Sequence, residues 1–401
     1  MSDHTTRTLR DDEQRAASSL FRSTLHAAPP SDEEWERTRF AFQPDRTLGV
    51  FDRELIGTAR SFDSTVVVPG GAAVPLAAVT GVGVRPDRTR RGVLRELMRA
   101  QFEDLSARGT VAALLYATEG PIYGRFGYGV GTRGLSYTVD RRRAVFRPEA
   151  PRGGEVELLD VDAAMARLPE IYSGLAASRP ATMARPSYWW AGLGNRLRKA
   201  DVPPVTVLHH GAGGVDGIAQ YAVDRDSGAD SATMRVDMLD TASDAAFAGL
   251  WRYLLGVDLV DRVKAWMRPL DEPTELLFTD PRVCRSTGVE DEAWLRLVDV
   301  PAALAARVRA CGRLVIEVDD PVLPSNSGRY LITPDEVIRT GEPAQLRMGV
   351  DALAMIYLGT WRPSVLAGTG RVGVLDPEAP AIADRLFGIG ADRAAWCGTF
   401  F

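Results

Sequence analysis

The chain has 401 residues, of which 45% are hydrophobic and 25% charged, with a formal net charge of −5. That length predicts two or three domains, each with enough apolar residues for its own core. The acidic balance excludes a chain-wide basic surface for nucleic acid or an anionic membrane, so any cationic patch must be local.

Residues 1–18 are charged and are expected to fray at the start. Ala16, Leu20 and Phe21 at helical spacing predict a helix over 13–26, and Asp32 opens a short amphipathic helix through Phe40. Strand-like runs follow at 47–51, 54–62, 64–68 and 73–84. A helix is predicted over 93–108 and a strand over 111–117, then a Gly/aromatic loop and a strand over 135–140. This order predicts an α/β domain with a mixed sheet. The basic, Pro- and Gly-containing segment 141–154 reads as a boundary. A second α/β pattern has strands at 205–209, 218–223, 232–239 and 262–267, with a helix over 243–255. It is read as a degenerate relative of the first, without a cofactor site; an unrelated strand–helix–strand unit fits equally, because that unit is common. The last segment begins near Trp294. It has strands at 295–298, 314–318, 329–332, 344–349 and 372–375, and helices over 301–310, 350–358 and 379–387. The predicted division is 1–148, 149–288 and 289–401.

Cys284, Cys311 and Cys397 are odd in number and widely separated, which predicts reduced thiols in a cytoplasmic protein. His4, His26, His209 and His210 show no metal-ligand spacing, and no metal is expected. The polar start has no apolar signal core, and no apolar run reaches the length of a membrane span.

The stretch from Val82 to Leu94 delivers an apolar strand through a basic turn into a helix start. Unpaired N–H groups and the positive end of the helix dipole favour an anion there. Arg88, Arg90 and Arg91 add charge, and Gly92 lets the backbone approach closely. A pyrophosphate suits such a turn; a solvated basic helix start is the plainer reading. Gly81 and Gly83 interrupt the strand, which predicts either a bulge that frees the Val82 N–H or a simple bend. Tyr123 and Tyr128 sit among four glycines after an apolar strand. A tyrosine is protonated at neutral pH and can serve as a proton donor. For Tyr123 that role and plain packing stand level, whereas Tyr128 reads as packing. The chain closes on Trp396-Cys397-Gly398-Thr399-Phe400-Phe401, an apolar end that should dock and carry its α-carboxylate with it.

Together these pieces resemble a known family. Val82–Leu94 resembles the acetyl-coenzyme A motif of the GNAT N-acetyltransferases. Tyr123-Gly124-Arg125-Phe126-Gly127-Tyr128-Gly129 resembles a loop of the enhanced intracellular survival (Eis) subfamily. Trp294-Leu295-Arg296-Leu297-Val298-Asp299-Val300 resembles the start of that subfamily's sterol-carrier-like third domain. The resemblance implies two GNAT-like mixed-sheet domains followed by that third domain, and acetyl transfer from acetyl-CoA to an amine. It implies a cofactor set of Val82, Gly83, Val84, Arg88, Arg90, Arg91, Gly92, Val93 and Thr118. Tyr123 would be the general acid and the Phe401 carboxylate the base. His26, Trp35, Thr80, Gly81 and Phe400 would face the substrate. The family further implies a homo-hexamer acting on small-molecule amines, aminoglycosides among them, or on lysine side chains, with no nucleic-acid or membrane partner.

This chain departs from the family pattern at several positions. Thr89 stands where Gln or Arg opens the superfamily motif, and Leu94 where a small residue is usual. His26 and Phe400 occupy positions where aminoglycoside-modifying members carry acids, and acids come only later, at Asp32, Glu33, Glu34 and Glu36. An acceptor less charged than an aminoglycoside is therefore expected, or weaker aminoglycoside activity. The competing readings are a non-catalytic apolar-ligand carrier with a relic cofactor site, and a protein-lysine acetyltransferase.

Overall fold

The computed structural model describes residues 4–43, 45–176, 179–202, 204–225, 232–388 and 392–401. The chain forms two compact units. One comprises Met1–Gly131, Ala293–Asp392 and Phe400–Phe401; the other comprises Thr132–Glu292 and Arg393–Thr399.

The first unit holds a seven-stranded sheet in the order Thr5–Thr8, Thr47–Asp52, Glu54–Val67, Ala73–Val84, Ala112–Leu115, Trp294–Leu297, Gly129–Val130. Its one parallel pair, Ala73–Val84 with Ala112–Leu115, is joined by the helix Val93–Ala107. That helix buries Val93, Leu97, Met98, Phe102 and Leu105, which recur at helical spacing and face the sheet. The predicted strands 54–62 and 64–68 are one continuous strand of 14 residues. The expected fraying at the start is corrected from residue 5 onward, while residues 1–3 lie outside the described residues. Thr5–Thr8 pairs antiparallel with Leu48–Phe51. Arg7 pins this edge by forking onto Glu13 at 2.7 Å and lying 4.2 Å over the Phe51 ring. The predicted Gly/aromatic loop contains the short helix Gly120–Gly124, started by Pro121.

The same unit holds a five-stranded sheet in the order Val337–Arg339, Gly328–Ile332, Leu314–Asp319, Leu346–Gly349, Val372–Val374. The helix Val350–Tyr357 has all but one of its residues buried, so its apolar run is engaged in core packing. Arg307, fully buried, donates to the main-chain oxygens of Tyr357 and Phe387. A cation there satisfies the carbonyl ends of two helices.

The second unit is built on a seven-stranded sheet in the order Cys284–Asp291, Arg133–Asp140, Arg262–Arg268, Ala232–Thr241, Gly214–Arg225, Val205–Gly211, Glu155–Leu159. Its parallel pair, Ala232–Thr241 with Arg262–Arg268, is joined by the helix Asp244–Gly256. Two further helices, Val161–Ala176 and Ser187–Lys199, pack Leu168, Tyr172, Trp190 and Leu193 against this sheet. They fall in a stretch to which patterning assigns no element, where the Pro169 within one helix masks the period.

Two strands sit elsewhere than expected. Residues 135–140, read as the last strand of the first domain, pair instead with Arg262–Arg268 and Cys284–Asp291 in the second sheet. Trp294–Leu297, read as the start of the third domain, lies between Ala112–Leu115 and Gly129–Val130 in the first. Among the described residues, no helix is long and apolar enough to cross a membrane, and no His, Cys, Asp or Glu cluster could hold a metal ion.

Candidate active site

In the first unit, Ala73–Val84 and its parallel neighbour are paired from Leu76 and Ala112 as far as Ala78 and Leu114. Beyond that point Val79–Val84 pairs only with Glu54–Val67 among the described residues, so one edge of the strand lies open. On its paired side the register slips between Thr58 and Arg60, where one residue faces two. Gly81 stands at the slip with φ +63, a conformation that suits glycine. The two strand glycines thus mark a bulge rather than a bend, and Val82 sits inside it on an unpartnered edge.

The turn after this strand ends at Gly92, which caps the helix Val93–Ala107 with φ +91 and no side-chain cap bond. The first-turn N–H groups are therefore not taken by a capping side chain, as an anion site requires. The three arginines differ in what surrounds them. Arg88 lies 3.4 Å from Asp52 and 3.7 Å from Asp87, which offset its charge. Arg90 and Arg91 are exposed and have no ion pair among the described residues. Thr118 is exposed in the bend after Ala112–Leu115.

Tyr123 is buried in the apolar cluster that also holds Val79 and Tyr128, with Val82 and Ala117 packed at its border. Burial raises the pKa of its phenol above the ordinary tyrosine value, so it stays protonated. Its hydroxyl makes no hydrogen bond among the described residues. The neighbouring Tyr128 is wholly buried, and its ring meets that of Tyr123 edge-on at 5.9 Å.

The last two residues belong to this unit. Thr80 Oγ1, next to the bulge, lies 3.4 Å from the main-chain oxygen of Phe401. The Phe401 ring packs edge-on against Phe62 at 5.3 Å and Tyr116 at 5.2 Å, and Phe400 stacks on Tyr116 at 4.3 Å. Trp35 packs on Phe42 at 5.1 Å, and Arg60 lies 4.2 Å over that same Phe42 ring. Arg60 pairs with Thr80 in the sheet, beside the bulge. His26 is exposed past the helix Gln14–Thr24, and its side chain makes no hydrogen bond or ion pair among the described residues. The acids on the next helix are engaged: Asp32 with Arg15 at 2.6 Å, Glu34 with Arg22 at 3.2 Å, Glu36 with Arg39 at 3.0 Å, and Glu33 with Arg37. Tyr116, Phe42 and Arg60 were not among the predicted site residues. Only Tyr116 carried a signal, as an aromatic closing an apolar strand.

In the second unit, the segment Arg393–Thr399 is tightly held. Glu292 accepts from the Cys397 N–H at 3.1 Å and the Gly398 N–H at 2.7 Å, and burial pushes its pKa up. Arg185 donates to Thr399 Oγ1 at 2.9 Å and to the Gly398 oxygen at 2.8 Å while lying 3.7 Å over the Tyr172 ring.

Residues 5–131 match an acetyltransferase (GNAT) domain, residues 181–300 a second acetyltransferase (GNAT) domain, and residues 300–398 a sterol carrier protein domain. An uncharacterized N-acetyltransferase of Streptomyces coelicolor is 36% identical over 94% of each chain. N-acetyltransferase Eis of Mycobacterium tuberculosis is 35% identical over 83% of each chain. The crystal structure of Eis1 from Mycobacterium abscessus matches with a TM-score of 0.90 at 37% identity, covering 99% of this chain and 100% of that one. The chain belongs to the Eis family of GNAT N-acetyltransferases. It is an acetyl-CoA-dependent enzyme that acts on amines. The second GNAT domain of this Eis-type chain differs from the first at the helix start. Ser243 caps the helix by accepting from the Ala246 N–H at 3.0 Å and donates to Asp216 at 2.8 Å. Both helices carry an acid in the first turn, Glu96 in the first and Asp244 in the second, so the difference lies in the side-chain cap and in the arginines before Gly92.

Proposed function

We propose that this Eis-type enzyme moves the acetyl group of acetyl-CoA directly to a primary amine of a small molecule, with the Phe401 carboxylate as base and Tyr123 as acid. The observation that carries this reading is the main-chain oxygen of Phe401 beside Thr80, next to a bulged strand with one open edge. Arg90, Arg91 and the helix start at Gly92 and Val93 hold the pyrophosphate. Arg88 adds less, because Asp52 and Asp87 offset it. Val82 and Val84 bind the donor through their backbones, bordered by Gly83 and Thr118, and the Val82 N–H meets the oxyanion that forms at the thioester. The Phe401 carboxylate takes the amine's proton, and Tyr123 gives its proton to the departing thiolate. Positioning supplies most of the acceleration, and acid–base help adds ~10²–10⁴-fold.

The acceptor is less charged than an aminoglycoside. His26, Gly81 and Phe400 bring no carboxylate, Trp35 brings an aromatic wall, and the nearby acids are held by arginines. Assayed with acetyl-CoA, arylalkylamines should show kcat/KM at least tenfold above aminoglycosides and lysine peptides. The reverse order would refute this acceptor class. The assembly is proposed to be a cytoplasmic homo-hexamer on the family relationship alone, and sedimentation tests its size.

Two variants test the roles. Tyr123→Phe should lower kcat by ~10²-fold or more with the KM for acetyl-CoA nearly unchanged. A large rise in that KM would make Tyr123 structural. Arg90→Ala with Arg91→Ala should raise the KM for acetyl-CoA about tenfold, given ~1.5–3 kcal/mol for a charge-assisted bond and some loss to solvent exposure. An unchanged KM at low salt would remove both from pyrophosphate binding.

A further inference from the structure

A free chain end carries its carboxylate on a segment that ordinarily frays. Phe400 and Phe401 belong to no helix or strand, so no ladder of main-chain bonds fixes them. A general base nevertheless has to stay within hydrogen-bond reach of the proton it takes. We infer that Tyr116 and Thr80 are positioning residues for the terminal base: Tyr116 seats the last two rings, and Thr80 orients the carboxylate. This inference rests on the reading of Phe401 as the base.

The sheet of the first unit brings both residues to one place. In its antiparallel ladder Phe62 lies opposite Ala78, and Arg60 opposite Thr80. Residues opposite one another share a face, and so do residues two apart along a strand. Phe62 and Thr80 are therefore diagonal neighbours on one face. On the other side of Ala73–Val84, Leu114 lies opposite Ala78 in the parallel ladder. Tyr116 follows two residues later and continues the same alternation past the last paired residues. Three neighbouring strands or their ends thus bring Phe62, Thr80 and Tyr116 to one face, and each of the three meets Phe401.

The contacts differ in what they fix. Phe62 is buried and packs edge-on against the Phe401 ring. Tyr116 does the same at 5.2 Å and also stacks on Phe400, with centroids 4.3 Å apart and planes 27° from parallel. One ring that holds two consecutive residues sets the direction of the chain as well as its place. Thr80 acts on the reacting group itself. The main-chain oxygen of the last residue is one of the two carboxylate oxygens. The Thr80 hydroxyl donates to it, which leaves the other oxygen for the amine's proton. At 3.4 Å the bond is long, as catalytic hydrogen bonds often are before substrate binds. A donor on one oxygen sets the rotation of the carboxylate about its bond to Cα, which ring packing leaves undetermined. A base oriented in this way by a third group is the arrangement that proton transfer from a nucleophile calls for.

Thr80→Val keeps the shape of the side chain and loses the hydroxyl. It should lower kcat about tenfold, and Thr80→Ser should recover most of that loss. Tyr116→Ala should lower kcat ~10-fold or more, whereas Tyr116→Phe keeps the ring and should stay near native. In all four the KM for acetyl-CoA should change by less than ~twofold. The same substitutions are then made in the chain with one glycine added after Phe401, whose carboxylate is displaced from the outset. There Thr80→Val and Tyr116→Ala should cost almost nothing more, because they act through a group already out of place. Thr80→Val, the smaller change, keeps the inference testable if Tyr116→Ala does not fold. Native kcat in either variant overturns the inference, and so do equal losses in the two chains; the loss on adding glycine then still speaks for Phe401. Normal turnover after adding glycine instead overturns the reading of Phe401 as base, and this inference with it.

Discussion

Removing Phe401 should lower kcat by ~10²–10⁴-fold, the contribution of a positioned general base, with little change in the KM for acetyl-CoA. The terminal group meets Thr80 at 3.4 Å, next to the bulge that holds Val82. Deletion transfers the carboxylate to Phe400, ~3.8 Å back along the chain. Proton transfer needs hydrogen-bond reach or one intervening water, so that displacement alone is severe. Deletion also removes a ring that packs on Phe62 and Tyr116, and two further variants separate the effects. Phe401→Ala keeps the carboxylate in register and loses the ring. One glycine added after Phe401 keeps both rings and moves the carboxylate. If the carboxylate is the base, the added glycine costs about as much kcat as the deletion, and Phe401→Ala costs clearly less. If the chain with the added glycine turns over normally, the terminus only packs.

Much of the first unit was legible because its signals are local. The strand Ala73–Val84 and the start of the helix at Val93 fall where patterning puts them, and of the bulge and the bend that Gly81 and Gly83 left open, the structure has the bulge. What surrounds the charges was not legible, because it depends on distant partners. Arg88 looks like its neighbours until the strand Thr47–Asp52 brings Asp52 to it. The acids at 32–36 look open until Arg15 and Arg22 arrive from the preceding helix. Strand exchange was hidden for a related reason. Alternation along a strand says which face is buried and nothing about which neighbour it pairs with. Arg133–Asp140 and Trp294–Leu297 therefore read as ordinary strands of their own segments, although each completes a sheet built mainly from elsewhere in the chain.

Two of the three glycines of the Tyr-Gly-Arg-Phe-Gly-Tyr-Gly loop, Gly127 and Gly129, have a packing cause, whereas a Cβ on Gly124 would meet nothing within 4 Å. Gly127 has φ +83, and a Cβ there would lie 2.6 Å from Val350 Cγ1 and 2.9 Å from Arg296 Nε. A Cβ on Gly129 would meet the Asp351 oxygen at 2.2 Å. The loop is thin so that a buried guanidinium and the start of the helix Val350–Tyr357 can lie against it.

That guanidinium leads to the largest stability effect expected. Asp320→Ala should destabilise the protein by ~3–5 kcal/mol, the usual cost of stranding one member of a buried ion pair. Arg296 and Asp320 are both fully buried and joined at 2.7 and 2.8 Å. Asp320 also accepts from Asn326 Nδ2 at 2.9 Å and from the N–H groups of Val322 and Leu323 at 3.2 and 3.0 Å. Without it, Arg296 keeps its bond to the Leu297 oxygen and its place 5.1 Å from the Phe102 ring, but its charge has no counterpart. Phe102 lies on the helix that begins at the basic turn, so the damage extends to the element that presents Arg90 and Arg91. Urea denaturation measures the loss, and a double variant identifies its cause. Arg296→Met with Asp320→Leu removes both charges and keeps apolar volume, and it should recover most of the stability that Asp320→Ala loses. If the double variant is as unstable as the single one, the hydrogen bonds to Asn326, Val322 and Leu323 carry the stability instead of the charge pair.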